Sequence, residues 1–377
     1  MTVRDFPTTG PGAVPDPEVA AMLAALDAGF PDVAAMEAAE VRAAIRARRG
    51  PLQRIPAMRT VHDITIDGAG GPLPLRVYRP HPTPDSLPTD SAAPPTSPRP
   101  TAMAGAPLST EGAAPGAAAA QPTDGSALLV GDAPHVDDHA LISAALPVIV
   151  FAHGGGFVFC DLDSHDEFCR AMAVGVGAVV VSVDYRLAPE HPAPAAHDDF
   201  LAALRWTAAH ASEYGGDPAR IAVAGDSAGG NLAATVALAV RDHDGPPLAA
   251  QILLYPVIDD DVDTESYRRF GTGHYNTTRA MRWYWRQYAP HGTDDVRLVP
   301  TRATTLAGLP PAVVVTAELD PPCSAGDAYA QRLARDGVPV RHRRYDGLFH
   351  GFLTIPSLSA TVAARAEVWA MVRDVLG

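Results

Sequence analysis

The chain has 377 residues, 47% of them hydrophobic and 19% charged, which supplies enough apolar material for a substantial core. Its 29 basic residues stand against 43 acidic ones, a net charge of -14, so no nucleic-acid partner held through phosphate contacts is expected, and acidic anions are disfavoured as substrates. Every basic residue is an arginine. Without a lysine there is no Walker A phosphate loop, no Schiff-base lysine and no Ser-x-x-Lys pair.

Cys160, Cys169 and Cys323 lack paired CxxC spacing, so neither a disulfide framework nor a zinc site is signalled. Residues Met1 to Gly10 carry one arginine and no apolar stretch, unlike a secretory signal. No apolar run approaches the ~20 residues that cross a bilayer. The expectation is a cytoplasmic protein without a membrane span.

In chain order, Pro17 to Ala28 and Asp32 to Arg48 repeat apolar residues at helical spacing. From Val61 the period changes to two: His62 to Asp67 and Pro74 to Tyr78 alternate polar and apolar residues around a Gly-Gly-Pro turn, as in a hairpin. Residues 81–145 then turn to Pro, Ala, Ser, Thr and Gly with hardly an aromatic, a composition that buries too little surface to offset its ordering entropy. This stretch is expected to be a disordered insertion, with a functional lid as the alternative. Its His135-Val136-Asp137-Asp138-His139 cluster is read as a solvated loop end, so no metal site is expected.

Short β-branched runs follow at Pro147 to Ala152, Ala178 to Val183, Ile221 to Ala224, Gln251 to Tyr255, Ala312 to Thr316 and Val340 to Tyr345. Helical stretches at Ala195 to Ala209, Ser227 to Val240 and Ala325 to Asp336 separate several of them. The alternation predicts an α/β fold with a mainly parallel central sheet flanked by helices. Asp259 to Val299, with Trp283, Tyr284, Trp285 and Tyr288, breaks the rhythm and is assigned to a cap together with the N-terminal helices.

Chemistry-bearing motifs gather at the ends of these strands, where an α/β sheet places its ligand site. Gly225-Asp226-Ser227-Ala228-Gly229 joins a strand to a helix, the context in which Gly-x-Ser-x-Gly exposes a serine hydroxyl on a strained turn. Serine needs a base, and the base an orienting carboxylate, in the chain order serine, acid, histidine. Asp320 follows the Ala312 strand, and His350 follows the Val340 strand between Phe349 and Gly351. Glu318 and Asp259 to Asp261 are rivals for the acid, one too early by two residues and the others on the cap side. His342 is a rival base, but it falls among Arg341, Arg343 and Arg344 and is expected on a solvated edge. His153-Gly154-Gly155-Gly156-Phe157 supplies backbone N–H groups unobstructed by side chains, and Ala228 adds another at a helix N-terminus.

The set His153 to Gly156, Tyr185 to Pro192, Gly225 to Asn231, Leu319-Asp320-Pro321 and His350-Gly351-Phe352 resembles the bacterial hormone-sensitive lipase family of α/β-hydrolases, from about Val61 to the C-terminus. The resemblance implies an α/β-hydrolase fold with a helical cap and a cofactor-free carboxylesterase of short- to medium-chain acyl esters. It implies Ser227 as nucleophile, Asp320 as acid and His350 as base, with Gly155, Gly156 and Ala228 as oxyanion donors and Gly154 supporting them. His153 and Asp226 are then structural near the site. Phe157, Trp283, Trp285 and Tyr288 are candidates for the acyl pocket. Residues 1–55 are taken as N-terminal cap, 56–377 as the hydrolase domain and 259–299 as further cap.

Two departures from the family pattern stand out. Cys323-Ser324-Ala325 occupies the place of an acidic pair, with Ser324 a candidate helix cap, and the long insertion enters the strand leading to the oxyanion loop. An amidase or a metabolite-specific deacylase on the same residues is the nearest alternative. An idle ligand-binding protein, like the plant hormone receptors of this superfamily, is the other, and a base histidine such as His350 is what those receptors lack. An exposed sheet edge near the C-terminal helix allows a homodimer.

Overall fold

The computed structural model describes residues 16–48, 50, 55–82, 145–243 and 245–377. The expected insertion over 81–145, with its His135 to His139 cluster, lies outside the described residues apart from its ends. Elements run in the order α1 (Pro17–Gly29), α2 (Ala38–Ala47), β1 (Thr60–Gly68), β2 (Gly71–Arg79), β3 (Leu146–Ala152), α3 (Asp166–Val176), β4 (Val179–Val183), α4 (Ala195–His210) and β5 (Gly216–Asp226). They continue with α5 (Ala228–Asp242), β6 (Ala250–Leu254), α6 (Glu265–Phe270), α7 (Thr278–Tyr288), β7 (Ala312–Leu319), α8 (Cys323–Arg335), β8 (Val340–Phe349) and α9 (Ser359–Leu376).

Eight strands form one sheet in the order β1-β2-β4-β3-β5-β6-β7-β8. The hairpin β1–β2 joins β4 antiparallel, and all later pairings are parallel. Strands such as Val179-Val180-Val181-Ser182-Val183 are buried throughout, because helices cover both faces and neither can be polar. Period-two alternation then deals successive residues to opposite faces. Val148, Val150 and Ala152 enter one apolar cluster with α4 and α5, while Ile149 and Phe151 enter another with α3 and α9.

The helix α3 was not foreseen from sequence and is held by the C-terminal helix. Arg365 of α9 donates from both terminal nitrogens to Glu167 of α3, at 2.7 and 2.8 Å, and both side chains are buried. A planar guanidinium meeting a carboxylate through two parallel bonds satisfies two charges that burial would otherwise penalise. Two further differences have local causes. The helix expected over Asp32 to Arg48 divides into a single turn at Val33–Ala35 and α2, because Glu37 starts a new helix by donating its N–H to Glu40 Oε2 at 3.1 Å. His342 is not on a solvated edge: its Nε2 lies 2.9 Å from Asp327 Oδ1, and Thr316 donates to the same carboxylate oxygen, so the side chain is enclosed between β7, β8 and α8.

Candidate active site

The turn between β5 and α5 sets the first residue of the site. Ser227 has φ 55°, a left-handed conformation that L side chains rarely adopt, and its two glycine neighbours make that turn possible. A Cβ on Gly229 would come within 1.9 Å of Ala152 O, and one on Gly225 within 2.2 Å of the Gly229 carbonyl, so helix and strands approach too closely for any side chain at either position. The strain therefore places the Ser227 hydroxyl at the C-terminal edge of the sheet.

Asp320 and His350 arrive at the same edge from the ends of β7 and β8. His350 Nδ1 donates to Asp320 Oδ2 at 2.7 Å, and Ser227 Oγ donates to His350 Nε2 at 2.8 Å. The three side chains are buried, Asp320 almost completely at 1% exposure. Burial raises the Asp320 carboxyl above its usual range, while His350 and Asn276 beside it pull the other way. The imidazole is wedged edge-on against Tyr255, 5.2 Å between ring centres, which limits its rotation. Glu318, the rival acid, instead accepts the Gly347 N–H at 2.8 Å and so anchors the end of β8 just ahead of His350. Asp259 and Asp260 are occupied by Thr301 and Arg302. An alcohol donating to an imidazole that is itself oriented by a buried carboxylate is arranged for removal of the Oγ proton.

The glycine loop after β3 faces this hydroxyl. Gly155 and Gly156 have φ of 112° and 58°, and among the described residues no backbone acceptor takes the N–H of Gly155, Gly156 or Ala228. Gly154 differs, since its N–H donates to Asp226 Oδ1 at 2.7 Å. Asp226 is buried, which would raise its carboxyl, but His165 at 3.2 Å and the Gly154 amide outweigh burial and hold it below its usual range. His153 donates from Nδ1 to Gly154 O at 2.7 Å and stacks on Tyr185, whose hydroxyl donates to His153 O. Burial pushes the His153 imidazole down to about 4, which keeps it neutral in this role.

A cavity of about 110 Å³ opens beside Ser227 and includes Gly155, Gly156, His350, Phe157 and Trp285 in its walls. Trp283 and Tyr288 do not line it; Tyr288 instead stacks on the far side of Phe157, ring centres 3.8 Å apart. The missed residue is Tyr284, whose ring lies where a Cβ on Gly156 would be, 2.5 Å away. Helical period carried that signal: Met281, Tyr284 and Trp285 share the face of α7 turned to the cavity, and Trp283 sits off it. Arg42 of α2 was also missed. It donates to Val158 O and Ala188 O, both at 2.7 Å, and pairs with Glu190, tying α2 to the glycine loop and to the Tyr185 to Pro192 segment. Arg42 also draws the Glu190 carboxyl down to about 2. Ser324 does not cap α8; it lies inside the helix, and its N–H is accepted by Ser266 Oγ of α6 at 3.0 Å, so a neighbouring helix supplies the cap.

A fold of this topology with a serine on a β5–α5 turn defines an α/β-hydrolase, and the comparisons agree. The family described as alpha/beta hydrolase fold matches residues 149–354. Carboxylesterase NlhH of Mycobacterium tuberculosis is 45% identical over 228 residues, covering 59% of this chain and 70% of that protein. Esterase LipI of the same organism is 46% identical over 214 residues, covering 56% and 67%. Among solved structures, a thermostable esterase from Pseudomonas putida ECU1011 superposes with a TM-score of 0.75 at 31% identity, covering 98% of this chain and 99% of that one. The chain belongs to the α/β-hydrolase family, in its hormone-sensitive-lipase-like branch of carboxylic ester hydrolases. Among the described residues no helix is long and apolar enough to cross a membrane.

Proposed function

We propose that the protein hydrolyses short- to medium-chain acyl esters through an acyl-enzyme on Ser227. The observation that carries this is the continuous hydrogen-bond relay from Ser227 Oγ through both nitrogens of His350 to the buried Asp320. His350 Nε2 takes the Oγ proton as Oγ bonds to the ester carbonyl carbon, and the imidazolium that forms is stabilised by Asp320. The carbonyl oxygen becomes an oxyanion held by the N–H groups of Gly155, Gly156 and Ala228, a single such donor being worth ~3 to 4 kcal/mol. Collapse breaks the bond to the alcohol, which leaves with the proton from His350. Water then gives its proton to His350 and attacks the acyl carbon, and the acid departs as Ser227 regains its hydrogen.

The small cavity, walled by Phe157, Phe159, Tyr284 and Trp285, suits a short apolar acyl group. The test is Ser227→Ala assayed on p-nitrophenyl butyrate. Loss of kcat by roughly 10⁴-fold or more with retained folding is expected. Hydrolysis at the wild-type rate would overturn the assignment.

A further inference from the structure

Although the chain is strongly acidic overall, the segment from Glu265 to Tyr288 holds five arginines, Arg268, Arg269, Arg279, Arg282 and Arg286, and a single acid, Glu265. Four of these arginines, all but Arg269, are exposed on the wall of a second cavity of about 630 Å³, between the turn after α1 and helices α6 and α7. Two carboxylates share that wall: Asp32 pairs with Arg279 at 2.6 Å, whereas Asp27 accepts only the Tyr275 N–H at 3.1 Å and keeps its charge. Arg282 lies only 3.7 Å from the exposed Asp263, while Arg268 donates to the Asp263 carbonyl, a neutral acceptor. Arg286 makes no ion pair within the described residues. Four guanidinium groups against the carboxylates of Asp27, Asp32 and Asp263 leave the cavity with a net positive charge.

It also adjoins the site. Phe30 and Tyr275 line both cavities, their rings meeting edge-on at 4.7 Å, so the partition between them is two aromatic side chains. A molecule whose ester carbonyl sits at Ser227 would reach the second cavity by extending past that partition. We propose that the second cavity binds an anionic group, carboxylate or phosphate, at the remote end of the ester substrate. Guanidinium groups match both oxyanions through paired N–H donors. The local field overrides the acidic net charge because opposite charges farther than ~10 Å away are largely screened. This departs from the expectation drawn from net charge, that anionic substrates are disfavoured.

The inference rests on the ester-hydrolase reading, and its test separates the two. Wild-type protein and the double variant Arg282→Gln/Arg286→Gln are assayed on p-nitrophenyl hexanoate and on the mono-p-nitrophenyl ester of adipic acid. The preference in kcat/KM for the adipate ester should fall about fivefold to tenfold in the variant, through KM, with the hexanoate KM as internal control. An unchanged preference overturns the proposal. Calorimetric titration with 6-oxoheptanoate, a ketone analogue of the adipate ester with no bond to hydrolyse, and with hexyl phosphate gives a readout independent of turnover, and decides between the two anions. Binding to the wild type that the variant loses supports the site; equal binding to both, or binding to neither, overturns it. If the wild type cleaves neither ester, the hydrolase reading fails while the titration still decides the anion site.

Discussion

The sheet edge that holds Ser227 and the helical layer above it are built on opposite principles. At the sheet edge, positions are fixed by backbone against backbone: Gly229 against Ala152 O, Gly155 against Phe159 O, and a serine forced to φ 55°. In the overlying α6 and α7, contacts to the site are side-chain contacts, such as the Tyr284 ring over Gly156, and the outward face is a set of exposed arginines. Backbone constraints admit one geometry, which the proposed acyl transfer would require to within a fraction of an ångström. Side-chain contacts can be exchanged without moving the chain, which suits a surface that selects among substrates.

The neighbouring glycines allow this contrast to be broken directly. A Cβ on Gly155 would meet Phe159 O at 2.2 Å with φ 112°, a backbone clash with no remedy; Gly155→Ala should lower kcat by about 10²- to 10³-fold, the effect of losing an oxyanion donor. The nearest atoms a Cβ on Gly156 would meet are those of the Tyr284 ring, from 2.5 Å. Gly156→Ala should also lose activity, but Tyr284→Ala in the same chain should recover part of it, leaving the residual cost of φ 58°. Steady-state kinetics of the four proteins measures the coupling. Recovery in the Gly155→Ala background by Tyr284→Ala would show that the cap, and not the backbone, holds the whole loop.

The next effect is on stability and pH. Burial lowers His153 from 6.5 to about 4, so the unfolded chain takes up this proton earlier than the folded one as pH falls. Stability is complete above pH 6.5 and declines down to about 4, by roughly 3 kcal/mol for this group. His197, likewise buried and lowered to about 4, acts in the same window. Urea unfolding at pH 7, 5.5 and 4.5 should give a midpoint that falls with pH, and His153→Asn should flatten the slope. An unaltered slope would mean that the imidazole behind the glycine loop takes a proton without disturbing it. No residue of the exposed arginine face contributes to this window, since guanidinium groups stay charged throughout it.

The same contrast explains what was legible in the sequence. Ser227, Asp320 and His350 were readable because each sits where a strand ends, and strand ends are marked by β-branched runs followed by glycine or proline. Gly154 to Gly156 were readable because only glycine fits there. The sheet order and the antiparallel hairpin at one edge depend on long-range pairings that no local pattern encodes. Arg42, His165 and Tyr284 escaped for a related reason. Each acts across more than sixty residues of chain, on Val158, Asp226 and Gly156 respectively, and an arginine, a histidine or a tyrosine in a helix or loop looks the same whether or not such a partner exists. His342 misled because its neighbours are arginines; Arg341 and Arg343 pair with Asp374 and Glu367 of α9, whereas His342 turns with Arg344 to Asp327.

The smallest effect probes the exchangeable side alone. Trp285 lines the cavity at Ser227 and touches Phe157, ring centres 5.8 Å apart, whereas Trp283 is buried nearby without reaching it. Trp285→Ala should enlarge the space for an acyl chain and shift the preferred p-nitrophenyl ester by two or more carbons, changing relative kcat/KM several-fold, since each methylene in an apolar pocket is worth ~1 to 3 kcal/mol at most. Trp283→Ala removes a buried side chain of the same size and should lower thermal stability while leaving the chain-length profile where it was. Equal shifts from both variants would mean that the cap repacks as a unit, and that the face of α7 does not by itself decide which side chains meet the substrate. A shift from Trp285→Ala alone would tie selectivity to one helical face, the same element that carries Arg282 and Arg286 on its outward side.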